Sequence, residues 1–134
     1  MALPNGAGGY QVGTGNAAEA VLGVCTPVAV TGDVTLTGEQ MSTGLVTCNK
    51  GSDAALTVTT ATGAQIDAAI PNARIGACFD LTINNANNSG TSSTVTVTAG
   101  TGVTLFGTGT VARAGANTYR FVRTAEATYA AYLL

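Results

Sequence analysis

The chain has 134 residues and a formal net charge of −2, and only 9% of its residues are charged whereas 46% are hydrophobic. This length predicts one domain, and the lack of a basic excess argues against nucleic acid and anionic membranes as partners. A hydrophobic chain with few charges is expected to fold, and its weakly charged surface favours partial coverage by other subunits.

The N-terminal stretch differs from the rest of the chain. Residues 1–20, MALPNGAGGYQVGTGNAAEA, are rich in glycine and lack hydrophobic periodicity, which is typical of an extended arm or a disordered tail. A flexible linker has little use for an aromatic side chain. We therefore predict an extended N-terminal arm over residues 1–27 that docks on a neighbouring molecule through Tyr10 and Val12. The chain shows no signal-peptide pattern and no apolar run near the ~20 residues of a membrane span, so we expect no membrane partner.

Short alternating segments begin at Val28. PVAVTGDVTLTG, GLVTCN and AALTVTT alternate at period two and are bounded by Gly, Asn or Asp, which predicts strands. The segment TATGAQIDAAIPNA, residues 60–73, breaks this pattern, because its two isoleucines fall on one helical face and a proline follows them. We predict one short helix at about residues 61–70, with Thr60 or Thr62 as its N-cap.

Strand signals return after the predicted helix. ARIGACFDLTINN, STVTVTAG, GVTLFG, TVARAG, NTYRFVRT and TYAAYLL are short and are separated by turn-forming segments such as NANNSG. Short, evenly spaced strands are typical of antiparallel sandwiches and barrels. We therefore predict an all-β fold for residues 28–134, an antiparallel β-sandwich or barrel with one short helix. Alternation turns the threonines of STVTVT outward, and the predicted core consists of Phe79, Leu81, Ile83, Val95, Val97, Val103, Leu105 and Phe121.

Catalytic chemistry finds little support in the sequence, which has seven carboxylates but no histidine. The one pair that we weigh is Asp33 with Glu39, as a carboxylate dyad for glycosidic chemistry, and their spacing does not support it. GTGVTLFGTG contains GxG but opens no helix, as a dinucleotide site requires, so its glycines are predicted to lie in turns. We predict that the protein is not an enzyme, has no catalytic residues and needs no cofactor and no metal.

The cysteines and the arginines are interpreted as structural. Cys25, Cys48 and Cys78 form no CxxC pair, and each is predicted to be a buried free thiol, with a Cys25–Cys48 disulfide as the alternative. Three of the five cations lie in the last quarter of the chain: Arg113, Arg120 and Arg123. We expect these to form inter-subunit ion pairs or a solvated strand face, and a pocket for a phosphate or a carboxylate is the alternative.

The C-terminal half combines a short helix ending in AAIPNA with IGACFDLTINN, TVTVTAGTGVTLFGTG, a closing YRFVRT strand and TYAAY. This combination, over residues 60–132, resembles a β-rich module of virion structural proteins of tailed bacteriophages, which occurs in capsid decoration (cement) proteins and in some tail-fibre segments. The resemblance implies a non-enzymatic protein that binds at capsomer junctions and stabilises the shell by added contact area.

The resemblance also implies partners and a location. We expect the major capsid protein and further copies of this chain, in a homotrimer, because a closed ring fits the threefold points of an icosahedral lattice. The expected location is the capsid exterior of the virion, after synthesis in the cytoplasm of the bacterial host. The alternative is a tail-fibre or receptor-binding β module, which we would expect to be one segment of a longer chain with an aromatic or charged patch at its tip.

Overall fold

The fold consists of ten short strands and two short helices within residues 26–134, which are the residues described by this computed structural model. Residues 1–25 of the predicted arm, with Tyr10 and Val12, lie outside the described residues. In chain order the elements are β1 (Val28–Val30), β2 (Val34–Thr35), α1 (Gly38–Ser42), β3 (Leu45–Cys48), β4 (Leu56–Thr59), α2 (Gly63–Ala69), β5 (Cys78–Asn85), β6 (Val95–Thr98), β7 (Val103–Phe106), β8 (Thr110–Val111), β9 (Ala116–Ala125) and β10 (Thr128–Leu133).

The strands form two mixed sheets. The six-stranded sheet has the order β1-β3-β5-β9-β10-β7, and the four-stranded sheet has the order β2-β4-β6-β8. Parallel pairs join β1 to β3, β3 to β5, β2 to β4, β4 to β6 and β7 to β10, and the other three pairs are antiparallel. Strands hold 43% of the described residues and helices 11%. The prediction of an antiparallel all-β sandwich or barrel is therefore wrong, and the fold is mixed α/β.

The parallel pairs arise because the chain alternates between the two sheets. It changes sheet from β1 to β2, from β3 to β4 and from β5 to β6, and it returns to the six-stranded sheet through α1 and then α2. Three coils therefore stack in register, so that Val34, Val58 and Val97 lie side by side in the four-stranded sheet. Stacked coils that contact their neighbours are the architecture of a solenoid. Side chains alternate in the same way in parallel and antiparallel ladders, so the sequence pattern predicted strands but not their direction.

A threonine caps each helix. At α2 the Thr62 hydroxyl accepts a hydrogen bond from the Gln65 N–H at 3.2 Å, and the Gln65 side chain accepts one from the Thr62 N–H at 3.0 Å, which is a capping box. Thr37 and Gln40 form the same box at α1. The helix predicted at residues 61–70 is thus present as α2, with Thr62 as its N-cap. The prediction of a single helix is wrong, because the five residues of α1 are too few to show a helical period.

The core lies between the sheets and largely matches the prediction. Phe79 and Leu105 are partly buried and pack against the core. The other predicted core residues are buried: Leu81, Ile83, Val95, Val97, Val103 and Phe121. The threonines of β6 face outward as predicted, and the hydroxyls of Thr59 and Thr98 lie 2.8 Å apart across β4 and β6.

Candidate interaction surface

The outer face of the six-stranded sheet carries exposed aromatic side chains. Alternate residues of a strand point to opposite faces, and Phe121 and Tyr129 are buried against the core. Arg120 and Tyr132 therefore face outward from β9 and β10 and are exposed. Tyr132 was not among the predicted site residues, although alternation along TYAAYLL was an available signal for it.

Strand register places four outward side chains in one row across this sheet. Asp80 on β5 lies opposite Arg120 on β9, Arg120 lies opposite Tyr132 on β10, and Tyr132 lies beside Phe106 on β7. We call Asp80, Arg120, Tyr132 and Phe106 the sheet-face row. It brings together residues that are up to 52 positions apart in the chain, from position 80 to position 132, and it has a charged half and an aromatic half.

The aromatic half is a stacked pair at the edge of the sheet. The ring centroids of Phe106 and Tyr132 are 5.1 Å apart and the ring planes differ by 14°. Phe106 is 49% exposed and Tyr132 is 43% exposed, and Leu134, two residues further along, is 64% exposed. Single exposed apolar residues are ordinary on protein surfaces, but two stacked rings present a larger flat apolar area that can be buried against a partner.

The charged half is a bidentate ion pair. The Arg120 Nε and Nη2 atoms donate hydrogen bonds to the two Asp80 carboxylate oxygens at 2.8 and 3.0 Å. These bonds lower the pKa of Asp80 and raise the pKa of Arg120. Both side chains are nearly half exposed, so the pair adds little to stability. Its consequence is geometric, because it holds a planar guanidinium in the sheet face next to the position of Tyr132.

The cysteines do not share one environment. Cys48 is a buried free thiol, as predicted, and burial raises its pKa to about 11. Cys78 is exposed, so the prediction that it is buried is wrong. The reason is alternation along β5, since Phe79 packs against the core and its neighbour must face outward. Cys25, and with it the alternative disulfide to Cys48, lies outside the described residues.

A second polar cluster fastens α2 to the β9–β10 hairpin. The Arg123 Nε and Nη2 atoms each donate to a carboxylate oxygen of Asp67 at 2.9 Å. The Tyr129 hydroxyl and the Ala127 N–H also donate to Asp67, each at 2.7 Å. The bonds from Arg123, and then those from Tyr129 and Ala127, hold the pKa of Asp67 well below its usual range. Burial, reinforced by the bond to Asp67, raises the pKa of Tyr129 to about 12.

The cluster around Asp67 is structural, because Asp67 stays ionised and Tyr129 stays neutral near neutral pH. The ion pairs of Arg123 with Asp67 and of Arg120 with Asp80 are formed within one chain, whereas the expectation was inter-subunit ion pairs or a solvated strand face. Arg120 is exposed on such a strand face. Arg113 donates to the Gly90 carbonyl oxygen at 2.5 Å. All three late cations therefore have partners within the chain, which argues against the alternative of an anion pocket.

The carboxylate of Asp33 also accepts a hydrogen bond from the backbone. Asp33 of the dyad weighed above accepts a hydrogen bond from the Thr57 N–H at 2.9 Å, whereas Glu39 lies in the first turn of α1.

Within residues 26–134, no group of three or more His, Cys, Asp and Glu side chains is placed to hold a metal ion. Gly102 and Gly107 flank β7 with φ angles of 84° and 112°, so both are turn glycines, as predicted.

No protein-family model, curated protein or solved structure matches this chain. In the part of the chain that the structure describes, neither helix has the length and apolar character needed to cross a membrane. Support for a function therefore comes from the sheet-face row and from the resemblance noted in the sequence.

Proposed function

We propose that the protein is a non-enzymatic virion structural protein, a capsid decoration protein that binds at capsomer junctions and stabilises the shell. The observation that supports this proposal is the stacked, half-exposed pair of Phe106 and Tyr132 on the outer face of a sheet. Its rings sit on the paired strands β7 and β10 and offer apolar contact area. Exposed aromatic side chains of this kind are enriched at protein–protein interfaces.

The proposed partners are the major capsid protein and further copies of this chain in a homotrimer, on the capsid exterior. Tyr10 and Val12 of the arm supply a second contact in this proposal. Burying a large apolar side chain contributes roughly 1.5–3 kcal/mol before the costs of association. A modest affinity per subunit is sufficient because three copies that bind together act through avidity.

Co-sedimentation with assembled capsids that lack this protein tests the role of the aromatic pair. We expect the wild type to bind in near-stoichiometric ratio to the shell protein, and Phe106→Ser/Tyr132→Ser to bind at least about thirtyfold more weakly, from about 2 kcal/mol or more of lost burial. Thr96→Ala/Thr110→Ala is the matched control, since these two exposed residues are paired across β6 and β8 of the other sheet. Equal binding by all three proteins would contradict the proposal.

The arm and the oligomer are tested separately. Light scattering is expected to give the mass of a trimer for the isolated protein. Tyr10→Ala/Val12→Ala should keep that mass and lose about 2–4 kcal/mol of binding free energy per subunit, which avidity turns into near-complete release from the capsid. A monomer by mass removes the trimer from the proposal, and undiminished capsid binding removes the arm.

The alternative function is a tail-fibre or receptor-binding β module, and one observation favours it. The aromatic pair stands in one row with the ion pair of Asp80 and Arg120, and a flat ring next to charged hydrogen-bonding groups is suited to a sugar. This reading predicts binding to host surface polysaccharide, lost in Tyr132→Ala and weakened in Asp80→Asn. Binding to polysaccharide but not to capsids would replace the first proposal by this one.

A further inference from the structure

Residues 26–134 leave one end of the coil stack open. β1 pairs with β3 and β2 pairs with β4, and no described strand lies on the other side of β1 or β2. A groove of about 350 Å³ runs along this end, and its lining includes Val28, Val30, Val34 and Gln40. Uncovered strand edges invite pairing with other chains, and solenoids normally cover their terminal coils. We call this groove, with the free edges of β1 and β2, the open end.

The N-terminal segment joins the fold at the open end. Thr26 is the first described residue, and β1 begins two residues later at Val28. Twenty-five residues precede Thr26, so a segment directly before β1 is held beside the groove by the chain itself. The short tether gives this segment a high effective concentration at the open end, higher than any free molecule reaches at ordinary concentrations.

The sequence of this segment contains a pattern that also opens both helices. Thr37-Gly38 opens α1 and Thr62-Gly63 opens α2, and Thr14-Gly15 is the same dipeptide, which also occurs at positions 31, 43, 101 and 108, where no helix begins. Apolar residues follow Gly15, Gly38 and Gly63 at the third and the seventh position. They are Met41 and Leu45 after Gly38, Ile66 and Ile70 after Gly63, and Ala18 and Leu22 after Gly15. The sixth position adds Ala69 in the second set and Val21 in the third.

The packing of α1 on α2 requires glycine at position 38. A Cβ on Gly38 would lie 2.3 Å from the Gln65 carbonyl oxygen and 2.9 Å from the Ala69 Cβ, so only glycine lets the two helices approach this closely. Gly15 precedes Gly38 by 23 residues in the sequence.

We propose that residues 14–25 dock in cis over the open end and cover the free edges of β1 and β2, with Val21 and Leu22 as their apolar contacts. The other occupants that the groove could take are a second copy of the chain and the capsid protein. Docking of residues 14–25 leaves residues 1–13, with Tyr10 and Val12, to contact a partner. The inference concerns the isolated protein and does not rest on the proposed function.

Hydrogen exchange on the full-length protein tests the proposal. The backbone amides of β1 and β2 are expected to exchange at least about tenfold more slowly in the wild type than in Val21→Asp/Leu22→Asp. The matched control is Asn16→Asp/Ala20→Asp, which adds the same charge away from the apolar positions and should exchange like the wild type. The amides of β9 and β10 report on global folding in the same samples and should not change.

Each other outcome counts against the proposal. Equal exchange at β1 and β2 in all three proteins means that the segment does not cover them, and protection that grows with protein concentration means that a second copy does. If Val21→Asp/Leu22→Asp unfolds the protein, a photocrosslinker at position 22 of the wild-type chain decides. We expect it to react with peptides of residues 28–34 within the same chain, whereas links between chains or to distant peptides would overturn the proposal.

Discussion

Replacing Gly63 by alanine tests the packing of α2 against the β9–β10 turn. A Cβ on Gly63 would lie 1.9 Å from the carbonyl oxygen of Ala127 and 2.5 Å from its carbonyl carbon. Both atoms belong to the backbone, and the turn that carries them is held by the bond from the Ala127 N–H to Asp67. The added methyl group therefore cannot be accommodated by rotating a side chain, and either the helix or the turn has to move.

Two effects of opposite sign determine how much Gly63→Ala changes the free energy of unfolding. Alanine is intrinsically better than glycine in a helix by about 1 kcal/mol. Overpacking costs about 1–3 kcal/mol and more where the backbone has to shift. Because the clash is with backbone atoms, we expect Gly63→Ala to lower the free energy of unfolding by about 3 kcal/mol. In the control Gly32→Ala the added Cβ meets no atom of residues 26–134 within 4 Å, so a gain of up to about 1 kcal/mol is expected from the lower entropy of the unfolded chain.

Urea denaturation of the wild type and both variants measures these changes. Relative to the wild type, we expect a lower urea midpoint for Gly63→Ala and an equal or higher urea midpoint for Gly32→Ala. If the two variants were equally stable, the close approach of α2 to the Ala127 turn would be refuted.

Two further predictions concern titratable groups. Because the pKa of Asp67 is lower in the folded chain than the value of about 3.9 in an unfolded one, its charge stabilises the fold above about pH 4, and this contribution is lost as the pH falls further. The Tm difference between wild type and Asp67→Asn should thus be constant from about pH 8 to about pH 5 and narrow towards about pH 2, whereas a difference independent of pH would contradict the cluster. In a Cys25→Ser background, a thiol reagent should label Cys78 rapidly and Cys48 only on unfolding; two rapidly reacting thiols would contradict the burial of Cys48.

Local features of this fold were predictable from the sequence, and the arrangement of the strands was not. Alternation along YRFVR placed Phe121 inside and Arg120 outside, and the threonine before Gly63 marked the start of α2. The direction of pairing between β3 and β5 depends on the path of the chain through α2 and the following loop, about which a period of two carries no information.

The sheet-face row was likewise predictable from the sequence only in part. That Phe106 and Tyr132 face outward follows from alternation, given that Leu105 and Ala131 face the core. That the two rings stack depends on the parallel register of β7 with β10, which joins residues 26 positions apart, 106 and 132. The ion pair of Asp67 with Arg123 could not be predicted either, because the two residues are 56 positions apart and come together only after β9 has paired.

Separation of purified virions into heads and tails, followed by quantitative mass spectrometry of this protein in each fraction, tests the proposed function most directly. A capsid decoration protein is predicted to remain with the heads, at hundreds of copies and in near-stoichiometric ratio to the major capsid protein. Recovery of only a few copies, all with the tails, or the absence of the protein from the particles, would contradict the proposal.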